Sequence, residues 1–270
     1  MPAGGKVVSF INYKGGVGKT TLTVELAAAI ADRCAAPVLI VDMDPQTNAT
    51  LYLVEEREWR KWADERGTLK DLFDAALSGR PGFDLERIIM TFAGEERRYL
   101  HLVPSHLDLL LVDLQLAARF GPESINAVSI LKNALDPIRD RFDAVLLDCP
   151  PNLNLVTQNA LVASDAYVIV AMPEYLSTVG LATIQKAVLD LEARVNQPLE
   201  TFSGSKPFAA PPLKGIILNR VRYTTGGTIE QERIRQKLIH DYPALVFDNF
   251  VPESDRIARR PFFHSPLALS

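Results

Sequence analysis

Short runs of β-branched and aliphatic residues alternate along the chain with longer stretches whose apolar positions recur at helical spacing. The runs Lys6 to Asn12, Pro37 to Asp42, Tyr99 to Val103, Asp143 to Asp148, Ala166 to Ala171 and Lys214 to Asn219 predict strands. Most are continuously apolar, the pattern of strands buried on both faces of a parallel sheet. Helices are predicted between them over Thr20 to Cys34, Thr68 to Leu77, Ile125 to Ile138, Leu155 to Ala163, Gly180 to Asn196 and Ile229 to His240. Such alternation predicts right-handed βαβ units in a doubly wound, mostly parallel α/β sheet flanked by helices, with a single domain over 1–270.

Two segments interrupt this rhythm. Glu55 to Arg66 is dense in charge, yet Trp59, Trp62 and Ala63 share one helical face, which predicts an amphipathic helix packing its tryptophans on the body. Gln197 to Pro212 is rich in Pro, Ser and Gly and reads as an exposed loop.

Composition narrows the class. With 47% apolar residues in 270, the chain has material for a large core. A net charge of -4 argues against a uniformly basic nucleic-acid binder and leaves room for a local basic face. The two cysteines, Cys34 and Cys149, lack the spacing of a disulfide framework or zinc site, which points to a reducing, cytoplasmic setting. Met1 to Lys6 runs straight into a strand, so no signal peptide is expected, and no apolar run approaches the roughly 20 residues of a membrane span.

The strongest chemical signal lies after the first strand. Lys14-Gly15-Gly16-Val17-Gly18-Lys19-Thr20-Thr21 joins that strand to a helix, the context that a phosphate-binding loop requires. Glycines let backbone N–H groups converge on phosphate oxygens, and the helix N-terminus adds partial positive charge. Lys19 should reach the β- and γ-phosphates of ATP, and the Thr20 hydroxyl should ligate Mg²⁺. Position 13, where the usual pattern has glycine, holds Tyr13, and a second lysine, Lys14, stands inside the loop. Asp148 ends an apolar strand, so its carboxylate should emerge beside the phosphates and hold Mg²⁺ directly or through water. Asp42 and Asp44 end another strand. One could orient the attacking water while the other supports the metal shell.

These residues resemble the ParA/MinD family of deviant Walker-type P-loop ATPases over most of the chain. The loop with its extra lysine carries the likeness, joined by Val41-Asp42-Met43-Asp44-Pro45-Gln46-Thr47-Asn48-Ala49-Thr50, by Leu147-Asp148-Cys149-Pro150-Pro151 and by Val251-Pro252-Glu253-Ser254-Asp255-Arg256. The Asp44-Pro45-Gln46 and Asp148-Cys149-Pro150-Pro151 forms favour the ParA, or Soj-like, branch. The resemblance implies a Mg-dependent ATP hydrolase that forms a homodimer with ATP sandwiched at the interface, Lys14 reaching the partner's nucleotide. It further implies that Asp44 positions the hydrolytic water and that Asn219 and the Pro252 region meet adenine.

ParA-type proteins bind DNA nonspecifically as ATP dimers and are stimulated by a ParB-like centromere-binding partner. The likeness therefore implies a nucleoid-associated protein that segregates plasmid or chromosomal DNA. The basic balance after Lys214 gives separate support, with Arg220, Arg222, Arg256, Arg259 and Arg260 as candidate DNA contacts. No arginine finger in cis is identifiable, so hydrolysis without a partner is expected to be slow. The larger relatives' N-terminal helix-turn-helix is not expected here, because the first strand begins near Lys6. A MinD-like membrane cycle would need a C-terminal amphipathic helix, for which Pro261 and Pro266 are poorly suited. An iron–sulfur reductase would need cluster cysteines. ParA-like positioning of a protein cargo shares the same nucleotide chemistry.

Overall fold

A computed structural model describes residues 5–80, 82–121, 124–202, 208–222 and 229–269. Its strands are β1 (Lys6–Ile11), β2 (Val38–Asp42), β3 (Met90–Thr91), β4 (Leu100–Val103), β5 (Ala144–Asp148), β6 (Ala166–Ala171) and β7 (Leu213–Leu218). They form a seven-stranded sheet in the order β3-β4-β2-β5-β1-β6-β7. Every pairing is parallel except that of β3 with β4 at the edge. The helices are α1 (Lys19–Cys34), α2 (Asn48–Leu53), α3 (Glu56–Glu65), α4 (Leu69–Leu77), α5 (Leu109–Phe120), α6 (Ile125–Val128), α7 (Ile130–Leu135), α8 (Leu155–Ala163), α9 (Tyr175–Phe202), α10 (Ile229–Asp241) and α11 (Asp255–Ala258).

Strand residues pack to both sides, as their unbroken apolar runs require. Val7, Leu39, Val145 and Ile169 belong to a core with Leu72, Val112, Ala160 and Ile184 from α4, α5, α8 and α9. Phe10, Ile40, Leu146 and Val168 face the opposite way, onto Val24 and Ala27 of α1 and Tyr52 of α2. Register places the chemistry. Asp42 pairs with Asp148 across β2 and β5, and Phe10 pairs with Asp148 across β1 and β5. Both aspartates therefore end at the sheet edge where β1 gives way to the glycine-rich loop.

Helix α3 bears out the packing reading of its tryptophans. Trp59 is buried, and its Nε1 donates to the Ser105 carbonyl at 3.1 Å. Other elements depart from expectation. The exposed loop expected over Gln197 to Pro212 is helical as far as Phe202, with Pro198 inside α9. Buried Leu191 and Val195 fix the preceding turns on the sheet, so the donor that proline lacks does not end the helix. Asn196 then clamps the returning chain. Its Nδ2 donates to the Phe208 carbonyl at 2.7 Å and its Oδ1 accepts from Phe208 N at 2.6 Å. The one helix expected over Ile125 to Ile138 is two, α6 and α7, parted at Ser129. Helix α5 and strand β3 were not expected at all.

The C-terminal segment lies against the helix that follows the loop. The Leu267 and Ala268 amides donate to the Glu25 carboxylate of α1 at 2.8 and 3.1 Å, and the Tyr52 hydroxyl donates to the same group at 2.8 Å. No helix among the described residues is long and apolar enough to cross a membrane.

Trp59→Ala removes a buried ring and orphans a buried carbonyl. It should cost about 3–5 kcal/mol, read as a lower urea midpoint at unchanged slope. A midpoint equal to wild type would mean that α3 is not packed as described.

Candidate phosphate-binding site

Glycine conformation shapes the loop. Gly16 and Gly18 have φ of 75° and 88°, in the left-handed region that side chains disfavour. At Gly18 a methyl group would also stand 2.1 Å from Nδ2 of Asn219. That amide donates to the Val17 carbonyl at 2.8 Å, so the end of β7 is locked onto the loop. Asn12 fixes the other flank, donating to the Val170 carbonyl at 2.7 Å and accepting from Lys14 N at 2.9 Å. Helix α1 starts at Lys19 with no side-chain cap and no acidic residue in its first turn. Its first amides are therefore open to an anion.

A cleft of about 470 Å³ opens in front of these amides, lined by Gly15, Gly16, Gly18, Lys19, Thr20 and Thr21 on one side and by Asp44, Gln46, Asn48 and Tyr52 on the other. Lys19 is buried, and its ammonium donates to the carbonyls of Asn12 and Lys14 at 3.2 and 3.3 Å. Burial lowers its pKa, while Asp148 and Asp44 pull it back up.

The three aspartates differ in their surroundings. Asp42 is fully buried and its oxygens are engaged: Oδ2 accepts from the Thr50 amide and hydroxyl at 2.8 and 2.7 Å, and Oδ1 from Asp44 N at 3.2 Å. Burial pushes its carboxyl up to about 7 against those bonds, with Asp44 adding to the rise. Asp148 is also fully buried, but neither of its oxygens has a hydrogen-bond partner. Burial raises its carboxyl well above the ordinary range and the Asp42 charge raises it further, with the neighbouring Thr20 hydroxyl and Lys19 opposing. Asp44 faces the cleft, accepts from Gln46 N at 2.9 Å and is also raised by burial. A buried carboxylate without partners is costly. The Asp148 oxygens beside the Thr20 hydroxyl suit a hard divalent cation that brings its own waters and phosphate ligands. Among the described residues no group of three or more His, Cys, Asp or Glu could hold a metal alone.

Lys14 is engaged elsewhere. Its ammonium pairs with Glu174, just ahead of α9, at 2.6 Å, and its side chain stays 37% exposed. Asn219 and Pro252 line a second cleft of about 350 Å³ on the far side of Gly16 and Gly18, with Arg220. Arg220 and Arg222 both pair with Glu253, at 2.9 and 2.7 Å. Arg256 and Arg259 are exposed and Arg260 is half-buried. Cys149 is fully buried behind Asp148, where burial pushes its thiol up, and Cys34 is exposed on α1.

Asn12, Glu174 and Ser105 complete the site without having been singled out in the sequence, and Thr50, which ends the motif that begins at Val41, joins them as the partner of Asp42. Ser105 donates from Oγ to the Asp44 carbonyl at 2.7 Å, and its N–H donates to Thr50 Oγ1 at 3.0 Å. Asn12 abuts the loop and could have been read as its anchor. Glu174 and Ser105 lie far along the chain and carry no motif.

Gly18→Ala should weaken ATP binding by about a hundredfold or more, because the new methyl must expel the Asn219 amide and strain a left-handed residue. A titration within twofold of wild type would contradict this. In metal-free protein, Asp42 stabilises the fold most below its ordinary value of about 4, and that contribution fades as pH rises through about 7. Thermal unfolding in chelator should therefore lose stability over that window, and Asp42→Asn should flatten the loss. Identical pH profiles would contradict the raised value.

The AAA domain family matches residues 5–201. The chain is 30% identical to the sporulation initiation inhibitor protein Soj of Bacillus subtilis over 266 residues, 98% of this chain and 91% of that protein. It is 29% identical to the chromosome partitioning protein ParA of Myxococcus xanthus, over 98% of this chain and 81% of that protein. Among solved structures, McdA of Cyanothece in complex with ATP superposes with a TM-score of 0.74 at 22% identity, covering 98% of this chain and 89% of that one. At that identity the likeness speaks for the fold. The family match and the near full-length relatives together assign the chain to the AAA domain family and, within it, to the ParA/Soj-like partition ATPases of the deviant Walker P-loop class.

Proposed function

We propose that this protein hydrolyses ATP, pairs with a second copy across two bound nucleotides, holds DNA without sequence preference while ATP is present, and partitions DNA with a ParB-like partner. The observation that carries this is the division of labour between the two loop lysines. Lys19 is buried in its own cleft, whereas Lys14 is half-exposed on a carboxylate outside it. A cation so placed is free to exchange Glu174 for the terminal phosphate held by another copy. Only a triphosphate offers that group, so pairing would follow the nucleotide state.

Within the cleft, Thr20 and Asp148 would hold Mg²⁺, with Asp42 behind them as a hydrogen-bonded support. The ion would supply charge neutralisation at the phosphates. Asp44 would orient the attacking water from the α2 side. Turnover without a partner should be slow, since a supplied arginine can be worth about 10³ to 10⁵ in rate. Arg222, Arg256 and Arg259 would contribute to a basic face on the pair, and loss of the terminal phosphate would loosen the pair and release DNA. Soj and ParA among the relatives support this reading.

Light scattering with ATP, ADP and a non-hydrolysable analogue, paired with DNA binding over a salt series, tests the whole. Wild type should dimerise and bind DNA only with triphosphate, with DNA affinity falling steeply as salt rises. Lys14→Ala should keep nucleotide affinity while weakening dimerisation by about tenfold or more. A chain that stays single at high concentration with ATP analogue would reject the proposal.

A further inference from the structure

The residue after Asn219 turns the chain with a backbone that arginine rarely adopts: Arg220 has a φ of 55°. A side chain in that left-handed region is strained and persists where neighbouring contacts enforce it. Here they come from the strap Val251-Pro252-Glu253. Val251 N donates to the Leu218 carbonyl at 2.8 Å, Val221 N to the Val251 carbonyl at 3.1 Å, and Glu253 N to the Val221 carbonyl at 3.0 Å. This pairing carries the sheet past the end of β7 and sets Glu253 between two arginines. One carboxylate oxygen accepts from Arg220 Nη2 at 2.9 Å and the other from Arg222 Nε at 2.7 Å.

The two arginines face different surroundings. Arg220 lines the cleft of about 350 Å³ shared by Gly16, Gly18, Asn219 and Pro252. Its Nη1 lies 3.4 Å from the Gly16 carbonyl, so the guanidinium bridges the phosphate loop and the strap. Arg222 is the more open of the pair, its side chain 65% exposed against 46% for Arg220. Sharing Glu253 offsets much of the charge of Arg220 while fixing its plane. A fixed guanidinium plane is suited to covering an aromatic ring.

We propose that Arg220 positions the nucleotide and is not a DNA contact: held by Glu253 at the rim of the loop, its guanidinium covers the purine whose edge meets Asn219. The inference rests on the reading of this chain as an ATP-binding protein. Its ligand is the base of an adenine nucleotide, independent of the number of phosphates.

Titration of ribose-labelled fluorescent ATP and ADP, with inorganic tripolyphosphate as competitor, tests it on wild type, Arg220→Gly, Arg220→Lys and Glu253→Gln. Glycine suits the left-handed backbone, so Arg220→Gly should fold and melt as wild type does. It should bind ATP and ADP about tenfold more weakly while tripolyphosphate competes undiminished. Lysine should not rescue, because the plane and not the charge is required, and Glu253→Gln should lose about threefold. Unchanged nucleotide affinity in Arg220→Gly would overturn the inference, as would an equal loss on tripolyphosphate, which would reveal a charge effect only. Loss of DNA binding with nucleotide affinity intact would return Arg220 to the DNA face and also overturn it. Failure of wild type to bind ATP would instead remove the underlying reading, a result separable from any behaviour of the variants.

Discussion

One buried cation and three carboxylates at the edge of a parallel sheet set the terms for the rest of the molecule. Lys19, Asp42, Asp44 and Asp148 are each less than a tenth exposed, and ions removed from water demand partners. Asp42 finds them in Thr50, Asp44 in Gln46 and Lys19 in two loop carbonyls, while Asp148 finds none. Burial raises the Asp42 and Asp148 carboxyls alike, and hydrogen bonds from Thr50 and the Asp44 amide oppose that rise at Asp42. A phosphate chain with its divalent cation would neutralise the cluster.

The hydrogen bonds that hold this cluster also extend it. Thr50 touches both Asp42 and the Ser105 amide, and Ser105 returns to the Asp44 carbonyl. Farther along the same connection, Asp113 of α5 accepts from Val156 N at the start of α8, the helix that follows Asp148. Both carboxylate loops are thus tied to one surface helix. Leu110, Leu111 and Leu114 of that helix are exposed. The fold supplies a short physical route from the phosphate cleft to an outer face.

Much of this was legible in the chain because the strongest signals were local. Continuous apolar runs marked six strands, and a loop of Lys14 to Thr21 between strand and helix marked the phosphate site. The register that sets Asp42 opposite Asp148 is a tertiary fact, although both residues end apolar runs. Helix α5 escaped notice because leucines stand on its exposed as well as its buried side, which blurs the helical period. Pro198 suggested an end to α9 that buried neighbours upstream override. Glu174 was invisible as the partner of Lys14, lying far along the chain with no motif, and the segment Val251 to Arg256 marks Glu253 without naming Arg220 as its partner.

The tail's attachment to Glu25 has a practical corollary. Leu267 and Ala268 hang from a carboxylate on the very helix whose first turn faces the phosphates, and Tyr52, which shares that carboxylate, lines the cleft. Glu25 thus works as a buckle: loosening it would free the tail, α1 and the Tyr52 wall of the cleft at one stroke.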